Sequence, residues 1–328
     1  MRTLHYSISH WPLAKAFVIS RGARTQADVI QVMIEENGIQ GFGECVPYGR
    51  YNESMDSVIQ QIESVKDALA NGMDRHDLQA LLSPGAARNA LDCALWDLEA
   101  RQQGRSVGIL SELGDPEALT SAQTLSIDTP ENMAKEAALY SQYPLIKIKL
   151  DNEQVLERMS AVKSAAPASQ FIIDANEAWT ITDLNKYSRE LAELSVALIE
   201  QPLPSESDND LADYTGSIAI CADESCHTSK DIPGLVGLYQ AINIKLDKTG
   251  GLTEAIKTLQ AARSHQLTVM VGCMVGTSLA MAPATLVANH ADFVDLDGPA
   301  LLAEDVAHGF QFNQGIMSAL DQHLWGGN

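Results

Sequence analysis

Two carboxylates stand one residue apart in the segment FVDLDGP, which covers residues 293–299. Side chains of a β-strand alternate between its two faces, so Asp295 and Asp297 are expected to point to the same side. Burying two like charges next to each other is costly, and such a pair requires a positively charged partner. The residues alone leave three candidates for that partner: a metal ion, a lysine of the chain or a cationic group of a substrate.

Three further acids end successive β-rich segments of the chain. FIIDA, VALIEQP and IAICADE place Asp174, Glu200 and Asp223 at these ends. Converging carboxylates without a nearby histidine or cysteine suit a hard divalent ion, most simply Mg²⁺. Capping of the following helix is the alternative for any one of these acids alone. Three acids at a regular step favour the metal site.

Lysines also lie in strands that are otherwise apolar. IKIKLD places Lys147 and Lys149 on one strand face, and INIKLDK supplies Lys245 from nearly the opposite side. A lysine base needs its pKa lowered from about 10.4 to roughly 7 to 8, which takes roughly 3 to 4 kcal/mol. A second ammonium about 6 Å away contributes close to 3 kcal/mol at an effective dielectric of roughly 20. We therefore expect the charge of Lys147 to lower the pKa of Lys149. Glu224 is expected to be a hydrogen-bonding partner of Lys245.

Two amines on opposite faces of a metal-held centre favour one reaction. A metal bound to a carboxylate stabilises the enediolate that forms when the adjacent carbon loses its proton. If one lysine removes the proton and the other returns one to the opposite face, the carbon is inverted. The pattern predicts racemisation or epimerisation next to a carboxylate.

The spacing of these polar residues predicts the fold that positions them. From Lys149 to Asp297 they follow one another at steps of 22 to 28 residues, the length of a strand, a helix and two loops. An open doubly wound sheet would not collect a charged residue at nearly every strand end. We predict an α/β fold with a modified TIM barrel, (β/α)7β-like, over residues 116–304.

The first part of the chain has a different pattern. Segments such as ADVIQVMIEENGIQGFGECVPY predict antiparallel strands, and two later segments that end at glycine predict helices. We therefore expect an α+β capping domain over residues 1–115. The tail, residues 305–328, is expected to pack back on this cap.

Composition excludes several classes of function. The chain has 328 residues, 45% hydrophobic and 20% charged, as is typical of a soluble globular protein. Its formal net charge of -21 argues against nucleic acid or an anionic membrane as partner. The N-terminus shows no apolar core of a signal peptide, so we expect a cytoplasmic protein. Five scattered cysteines without CxxC spacing predict structural thiols.

Several motifs together resemble a known family. KIKLD, IIDAN, LIEQP, CADES, INIKLDKTGG and GCMVGTS, in this order, resemble the enolase superfamily in its muconate-lactonising subgroup. GFGECVPYGRYNES and ARNALDCALWDLEA resemble the capping domain of that family, so the similarity covers nearly the whole chain. The resemblance implies Mg²⁺ ligands at Asp174, Glu200 and Asp223 and an acid/base pair at Lys149 and Lys245. Members of the superfamily include cycloisomerases, dehydratases, succinylbenzoate synthases and epimerases.

The DLDG motif narrows the choice among the reactions of this superfamily. The metal acids and both catalytic lysines are already assigned, so the partner of Asp295 and Asp297 is best sought in the substrate. An α-ammonium with three donors fits, and a DxD at this place resembles the dipeptide epimerases. Lys147 is a further candidate for substrate binding. Supporting roles are expected for Glu224 and for two residues of GCMVGTS, Cys273 and Met274.

Arginines in the cap offer a site for the other end of the substrate. Arg21 and Arg24 are predicted to lie in a hairpin loop over the barrel mouth. FVISRGAR resembles the dipeptide epimerases that act on alanyl-glutamate from murein, which implies that Arg24 binds the glutamate side chain. Arg50 is a weaker candidate. His227 and His265 lack metal-ligand spacing and are expected to be structural or solvated.

These observations predict a Mg²⁺-dependent epimerase that inverts the C-terminal residue of a dipeptide, most simply alanyl-glutamate in murein recycling. One alternative is a cycloisomerase or a succinylbenzoate-synthase-type lyase of the same superfamily. Another is a non-catalytic metal-binding scaffold. The expected partner is the small dipeptide alone, and a homo-oligomer is left open.

Overall fold

The computed structural model describes residues 1–327. The strands are β1 Thr3–Ile19, β2 Gly22–Glu36, β3 Ile39–Cys45, β4 Leu119–Thr120, β5 Gln123–Leu125, β6 Leu145–Lys149, β7 Gln170–Asp174, β8 Val196–Glu200, β9 Ala219–Ala222, β10 Ala241–Ile244, β11 Thr268–Gly272, β12 Phe293–Asp295, β13 Phe312–Asn313 and β14 Ile316–Met317. The α-helices are α1 Met55–Ser64, α2 Lys66–Ala70, α3 Arg75–Leu81, α4 Ala86–Gln103, α5 Val107–Leu110, α6 Pro130–Leu139, α7 Val155–Ala165, α8 Ile181–Glu193, α9 Ile232–Leu235, α10 Leu246–Thr249, α11 Leu252–Ser264 and α12 Ser278–Ala288. The 3-10 helices are Gly49–Tyr51, Ser205–Asp213 and Gly298–Leu301.

The N-terminal part is an antiparallel sheet, β1-β2-β3, covered by helix α4. The helix approaches β3 closely because two glycines of that strand leave room for it. A Cβ atom on Gly41 would lie 2.3 Å from the carbonyl oxygen of Ala94, and one on Gly43 would lie 2.1 Å from that of Ala90. Glycine is therefore required at both positions to bring the helix backbone against the sheet.

The larger part is a barrel of eight parallel strands, from β5 to β12 in chain order. The backbone amide of Ala122, just before β5, donates to the carbonyl of Val294 in β12 over 2.8 Å and closes the ring. Helices cover the outside, so each strand is buried on both faces and its sequence is nearly continuously apolar. The predicted α/β fold with a modified barrel and an N-terminal α+β domain is confirmed.

Two connections of the barrel depart from the regular strand-helix repeat. β8 is followed by the 3-10 helix Ser205–Asp213, and β9 is followed only by the four-residue helix α9. The first segment, SESDNDLAD, is rich in residues that favour caps and turns, and the second contains Pro233 and Gly234. Local sequence therefore prevents full helices at these two places.

The C-terminal tail joins the two parts of the molecule. The buried indole of Trp325 donates to the carbonyl of Phe42 over 2.9 Å and to that of Cys93 over 3.2 Å. The amide of Gly326 donates to Asp97 Oδ1 over 2.6 Å. The tail is thus held against the sheet and the long helix of the N-terminal part.

Two properties concern the whole described chain. All five cysteines are unpaired, and four of them are buried, as expected for structural thiols. Within residues 1–327 no helix combines the length and the apolar character needed to cross a membrane.

Candidate active site

A cavity of about 340 Å³ lies between the N-terminal sheet and the carboxyl ends of the barrel strands. The sheet contributes Phe17 and Arg24 to its wall, and the barrel contributes Lys149, Lys245 and Asp297. In barrels of this kind the carboxyl ends of the strands carry the chemistry. This cavity is therefore the candidate active site.

The two lysines predicted as acid/base pair face the cavity from opposite sides. Lys149 ends β6 and Lys245 follows β10, and three strands lie between these positions on either side of the eight-stranded ring. The amine of Lys149 donates to Asp174, and the Nζ atom of Lys245 lies 2.6 Å from Asp223 Oδ2. Each lysine is thus held by one of the predicted metal ligands.

The three acids lie side by side because strand register aligns them. In the β6–β7–β8 pairing, Lys149 is opposite Asp174, and Asp174 is opposite Glu200. Asp223 follows β9 directly, and all three side chains are buried. Burial opposes ionisation, but the charges of Lys149 and Lys147 hold the pKa of Asp174 well below its usual value.

Lys147 occupies the centre of this acidic group. Its Nζ atom lies 2.6 Å from Glu200 Oε2, 3.2 Å from Asp174 Oδ2 and 2.7 Å from Asp295 Oδ2. Burial alone would lower the pKa of Lys147, but the charges of Asp295, Glu200 and Asp174 raise it well above its usual value. Lys147 is therefore a fixed cation that balances carboxylates of three strands, a role the sequence interpretation did not give it.

The three acids have some of the features of a metal site. Their donors are carboxylate oxygens only, and Glu200 Oε2 is buried without a partner in hydrogen-bond geometry, despite its ion-pair contact with Lys147. Both features suit a hard divalent cation. Across residues 1–327, however, the oxygens of Asp174, Glu200 and Asp223 do not all lie within 4.8 Å of one another. Lysine amines supply the counter-charge in this arrangement.

Asp295 and Asp297 differ in their partners and in their positions on the backbone. A lysine of the chain, Lys147, donates to Asp295, so the expectation that only a substrate cation was left for both acids is wrong for Asp295. Asp297 lies beyond the end of β12 and directly precedes the 3-10 helix Gly298–Leu301 instead of continuing the strand, and its side chain makes no capping bond to that helix. Both carboxylates nevertheless line the cavity.

Asp297 has a different environment from its neighbour. Its Oδ2 atom accepts from the backbone amide of Thr124 over 2.6 Å, and no lysine or arginine within residues 1–327 forms an ion pair with it. Burial, followed by the charge of Asp295, raises the pKa of Asp297 to about 7. Asp297 is thus a buried acid next to the cavity that still lacks a cationic partner.

The arginines of the cap divide into two kinds. Arg21, at the tip of the β1–β2 hairpin, donates to Glu224 Oε1 over 2.8 Å, and Arg50 forms two bonds of 2.9 and 2.8 Å to Glu177. The expected bond between Glu224 and Lys245 is therefore wrong, because Arg21 takes that carboxylate. Burial, followed by the charge of Asp223, raises the pKa of Glu224 to about 7.

Arg24 remains available at the cavity. It lies within β2, not in the hairpin loop as expected, and its guanidinium is 5.2 Å from the ring centre of Tyr48. In the described part of the chain it forms no ion pair. An exposed guanidinium on the cavity wall suits a carboxylate of a bound molecule.

One buried lysine was missed from the sequence. Lys248, in the short helix α10, donates to Asp223 Oδ1 and to the carbonyl oxygens of Asp223 and Asn243 over 2.6, 2.6 and 2.8 Å. Its side chain is fully buried. The signal for it lies in KLDKTGG, where a second lysine follows Lys245 by three residues.

The remaining candidates lie where the sequence placed them. Cys273 and Met274 line the cavity after β11, and burial raises the pKa of the Cys273 thiol, which disfavours a nucleophilic role. His227 packs its ring 4.5 Å from that of Tyr51, and His265 is exposed.

The fold and the cavity define a class of enzyme in which a capping domain closes a barrel whose strand ends carry lysines and buried carboxylates. The chain belongs to the mandelate racemase and muconate lactonizing enzyme family of the enolase superfamily. Residues 1–111 match the "Mandelate racemase / muconate lactonizing enzyme, N-terminal domain", and residues 132–323 match the "Enolase C-terminal domain-like" model. The resemblance seen in the sequence is confirmed.

Two relatives are equally similar to the chain. The L-Ala-D/L-Glu epimerase of Escherichia coli K12 is 48% identical over 317 residues, 96% of this chain and 99% of the relative. The N-acetyl-D-glutamate racemase of a Pseudoalteromonas species is 48% identical over 303 residues, 91% of this chain and 95% of the relative. Both names denote isomerases, and the predicted enzyme class is confirmed.

Solved structures agree with these relatives. An enolase family member from Agrobacterium tumefaciens, described as homologous to dipeptide epimerases and bound to sodium and L-Ala-L-Glu, has a TM-score of 0.97 and 46% identity over 99% of this chain and 100% of the other. A dipeptide epimerase from Enterococcus faecalis, complexed with Mg and L-Leu-L-Tyr, has a TM-score of 0.90 and 29% identity over 97% and 96% of the two chains.

Proposed function

We propose that this enzyme is a Mg²⁺-dependent dipeptide epimerase that inverts the α-carbon of the glutamate in alanyl-glutamate. The observation that carries the proposal is the placement of Lys149 and Lys245 on opposite sides of one cavity. Loss of the α-proton makes the carbon planar. The stereocentre inverts only if the new proton arrives on the face opposite to the one that lost it. Two buried amines, each held by a carboxylate, are positioned for these two steps.

Asp174, Glu200 and Asp223 are the residues that would hold Mg²⁺. The oxygen-only donor set and the Mg-containing structure of a relative support this assignment. Bound there, Mg²⁺ would offset the negative charge that grows on the substrate carboxylate as the α-proton leaves. Asp174 and Asp223 also contact the two lysine amines, so the same carboxylates orient both bases.

The chain's own residues account for the other steps. Lys149 and Lys245 exchange the α-proton on the two faces, while Lys147 stays protonated and keeps Glu200 and Asp295 in place. Phe17, from the cap, lies against Lys149 with 5.9 Å between the amine and the ring centre. This apolar wall helps to exclude water from the reacting carbon.

The two ends of the dipeptide have separate candidate sites. Asp297, with Asp295 beside it, would bind the N-terminal ammonium, since Asp297 lacks a cation of its own. Arg24, on the opposite wall, would bind the glutamate side chain. The role in murein recycling stays a prediction that follows from this substrate, and the cytoplasmic location stays a separate prediction.

A second candidate function rests on the racemase relative, which has the same 48% identity as the epimerase relative over a slightly shorter match. N-acetylglutamate and alanyl-glutamate share an N-acylated glutamate, but only the dipeptide carries an ammonium group. A buried Asp297 without a cationic partner favours the dipeptide, because N-acetylglutamate has no ammonium group to pair with that acid.

The experiment is to incubate the Mg²⁺-loaded protein in D₂O with L-Ala-L-Glu and, separately, with N-acetyl-L-glutamate, and to follow the α-proton and the new stereoisomer by NMR. We expect exchange and inversion with the dipeptide. Lys149→Ala and Lys245→Ala should each abolish inversion, while each retains exchange of only one diastereomer. Inversion of N-acetylglutamate alone would replace the first function by the second, and no exchange with either substrate would reject both.

A further inference from the structure

Three metal-binding side chains meet on the tail, far in sequence from the catalytic acids. They are His308, Asp321 and His323, here called the tail cluster. His308 Nδ1 lies 3.0 Å from Asp321 Oδ2, and His323 Nδ1 lies 2.9 Å from Asp321 Oδ1. Their ligand atoms all lie within 4.8 Å of one another. Within residues 1–327 no other group of three His, Cys, Asp or Glu side chains meets this distance.

The geometry of the tail cluster is close to that of a metal site. Zn²⁺ bound to nitrogen and oxygen at roughly 2.0 to 2.2 Å in a tetrahedron has ligand atoms about 3.3 Å apart. The two nitrogen–oxygen distances are only slightly shorter, so a small outward movement of the rings would admit an ion. The rings of His308 and His323 are nearly parallel, with 21° between their planes and centres 5.2 Å apart. The two stacked imidazoles thus each contact one oxygen of the same carboxylate.

The charge state of Asp321 also suits a ligand. Hydrogen bonds from the backbone and the ring of His323 lower the pKa of Asp321 to about 2, so the carboxylate is ionised at neutral pH. Each histidine has its other ring nitrogen free to face solvent, since all three side chains are partly exposed. Imidazole ligands favour ions such as Zn²⁺, Co²⁺ or Ni²⁺ over Mg²⁺.

We propose that the tail cluster binds a borderline divalent transition-metal ion, typified by Zn²⁺, through His308, Asp321 and His323, with water completing the coordination. The site is separate from the oxygen-only acids of the cavity and selects a different kind of ion. It closes the segment between residues 308 and 323, which contains the β13–β14 hairpin. Because Trp325 and Gly326 follow directly, a bound ion would also fix the part of the tail that bonds to the N-terminal domain.

The test uses the full chain saturated with Mg²⁺, titrated with Co²⁺ while the visible absorption is recorded, and with Zn²⁺ by calorimetry. We expect one additional ion per chain with a Co²⁺ spectrum of four-coordinate type, and a Tm that rises with Zn²⁺. His308→Ala and His323→Ala should each weaken metal binding by at least roughly tenfold. Loss of an outer partner of a metal ligand already costs about that much affinity, and loss of a ligand should cost more. His265→Ala, which removes an exposed histidine elsewhere, is the matched control and should bind as the parent does.

Circular dichroism of each variant establishes that it is folded before the titration. If the parent takes up no ion beyond Mg²⁺, or if His308→Ala with His323→Ala binds Co²⁺ as tightly as the parent, the proposal is wrong and the cluster is only a proton-linked surface network. Binding is measured without substrate, so the result is independent of the epimerase proposal.

Discussion

The amine of Lys147 lies 2.7 Å from the carboxylate of Asp295 and links strand β6 to strand β12. The same amine contacts Glu200, so a single cation joins an acid proposed for the metal to an acid proposed for the substrate. The proposed metal site and the proposed substrate site therefore share one buried cation. A change in the charge of one site should be felt at the other.

The first prediction concerns this shared cation. Lys147→Met keeps the volume but leaves three buried carboxylates without their central charge, so the metal-free protein should lose about 3 to 5 kcal/mol of unfolding free energy. Mg²⁺ should stabilise the variant more than the parent, since the excess negative charge favours a cation. Urea unfolding with EDTA and with Mg²⁺ measures both effects. Lys230→Met, at an exposed lysine, is the control, and an equal Mg²⁺ response in the parent and Lys147→Met would contradict the prediction.

The second prediction concerns Lys248, which makes three bonds around Asp223. Lys248→Met should leave Asp223 held by Lys245 alone, on its Oδ2 side. The Mg²⁺ affinity should then fall by about 10- to 100-fold, as is usual when an outer partner of a metal ligand is lost. Calorimetric Mg²⁺ titration of the substrate-free protein is the measurement. Lys257→Met, at an exposed lysine of α11, should leave the affinity unchanged. Unaltered Mg²⁺ binding in Lys248→Met would show that Asp223 needs no such support.

The third prediction separates the two candidate substrates. Asp297→Asn should lower kcat/KM for L-Ala-L-Glu by about 10- to 100-fold, because a charge-assisted hydrogen bond to the ammonium contributes about 1.5 to 3 kcal/mol. Any turnover of N-acetyl-L-glutamate should be unaffected. Asp297 is preferred to Asp295 for this test, since changing Asp295 would also disturb Lys147. Glu304→Gln, at an exposed acid nearby in sequence, is the control, and equal losses with both substrates would exclude an ammonium site at Asp297.

The fourth prediction is a pH dependence of stability that arises away from the cavity. Burial raises the pKa of Asp92, on helix α4, to about 6 from an ordinary value of 3.8. The folded state therefore holds this proton more tightly than the unfolded state does. The resulting stabilisation is complete below pH 3.8 and is lost as the pH rises to about 6. At roughly 1.4 kcal/mol per pKa unit, the loss is about 3 kcal/mol.

Asp92→Asn should remove this dependence. Its amide can still accept from the backbone amide of Thr253, and Gln79, whose Oε1 atom is buried without a partner, can turn to accept the new N–H. Relative to the parent, the variant should gain stability between pH 4 and pH 8. Urea unfolding at several pH values measures the difference, and a constant difference across this range would contradict the assigned pKa.

The catalytic candidates were accessible from the sequence because their positions follow local rules. Lys149, Asp174 and Glu200 each end an apolar run, and parallel strands with short connections bring such ends to one edge. The step of 22 to 28 residues then fixes a barrel, and opposite placement of Lys149 and Lys245 follows from counting strands. These inferences need only the regular return of parallel strands. They therefore do not depend on the two connections, after β8 and β9, that lack a full helix.

The partners of these residues were decided by the tertiary structure. Lys147 was expected to act on its neighbour Lys149, but it contacts acids of three other strands. Glu224 was assigned to Lys245, but Arg21 from the cap takes it. Spacing along the chain determines the direction in which a side chain points. The charge that compensates a buried group comes from whichever element packs against it, often more than a hundred residues away, and no local pattern specifies that choice.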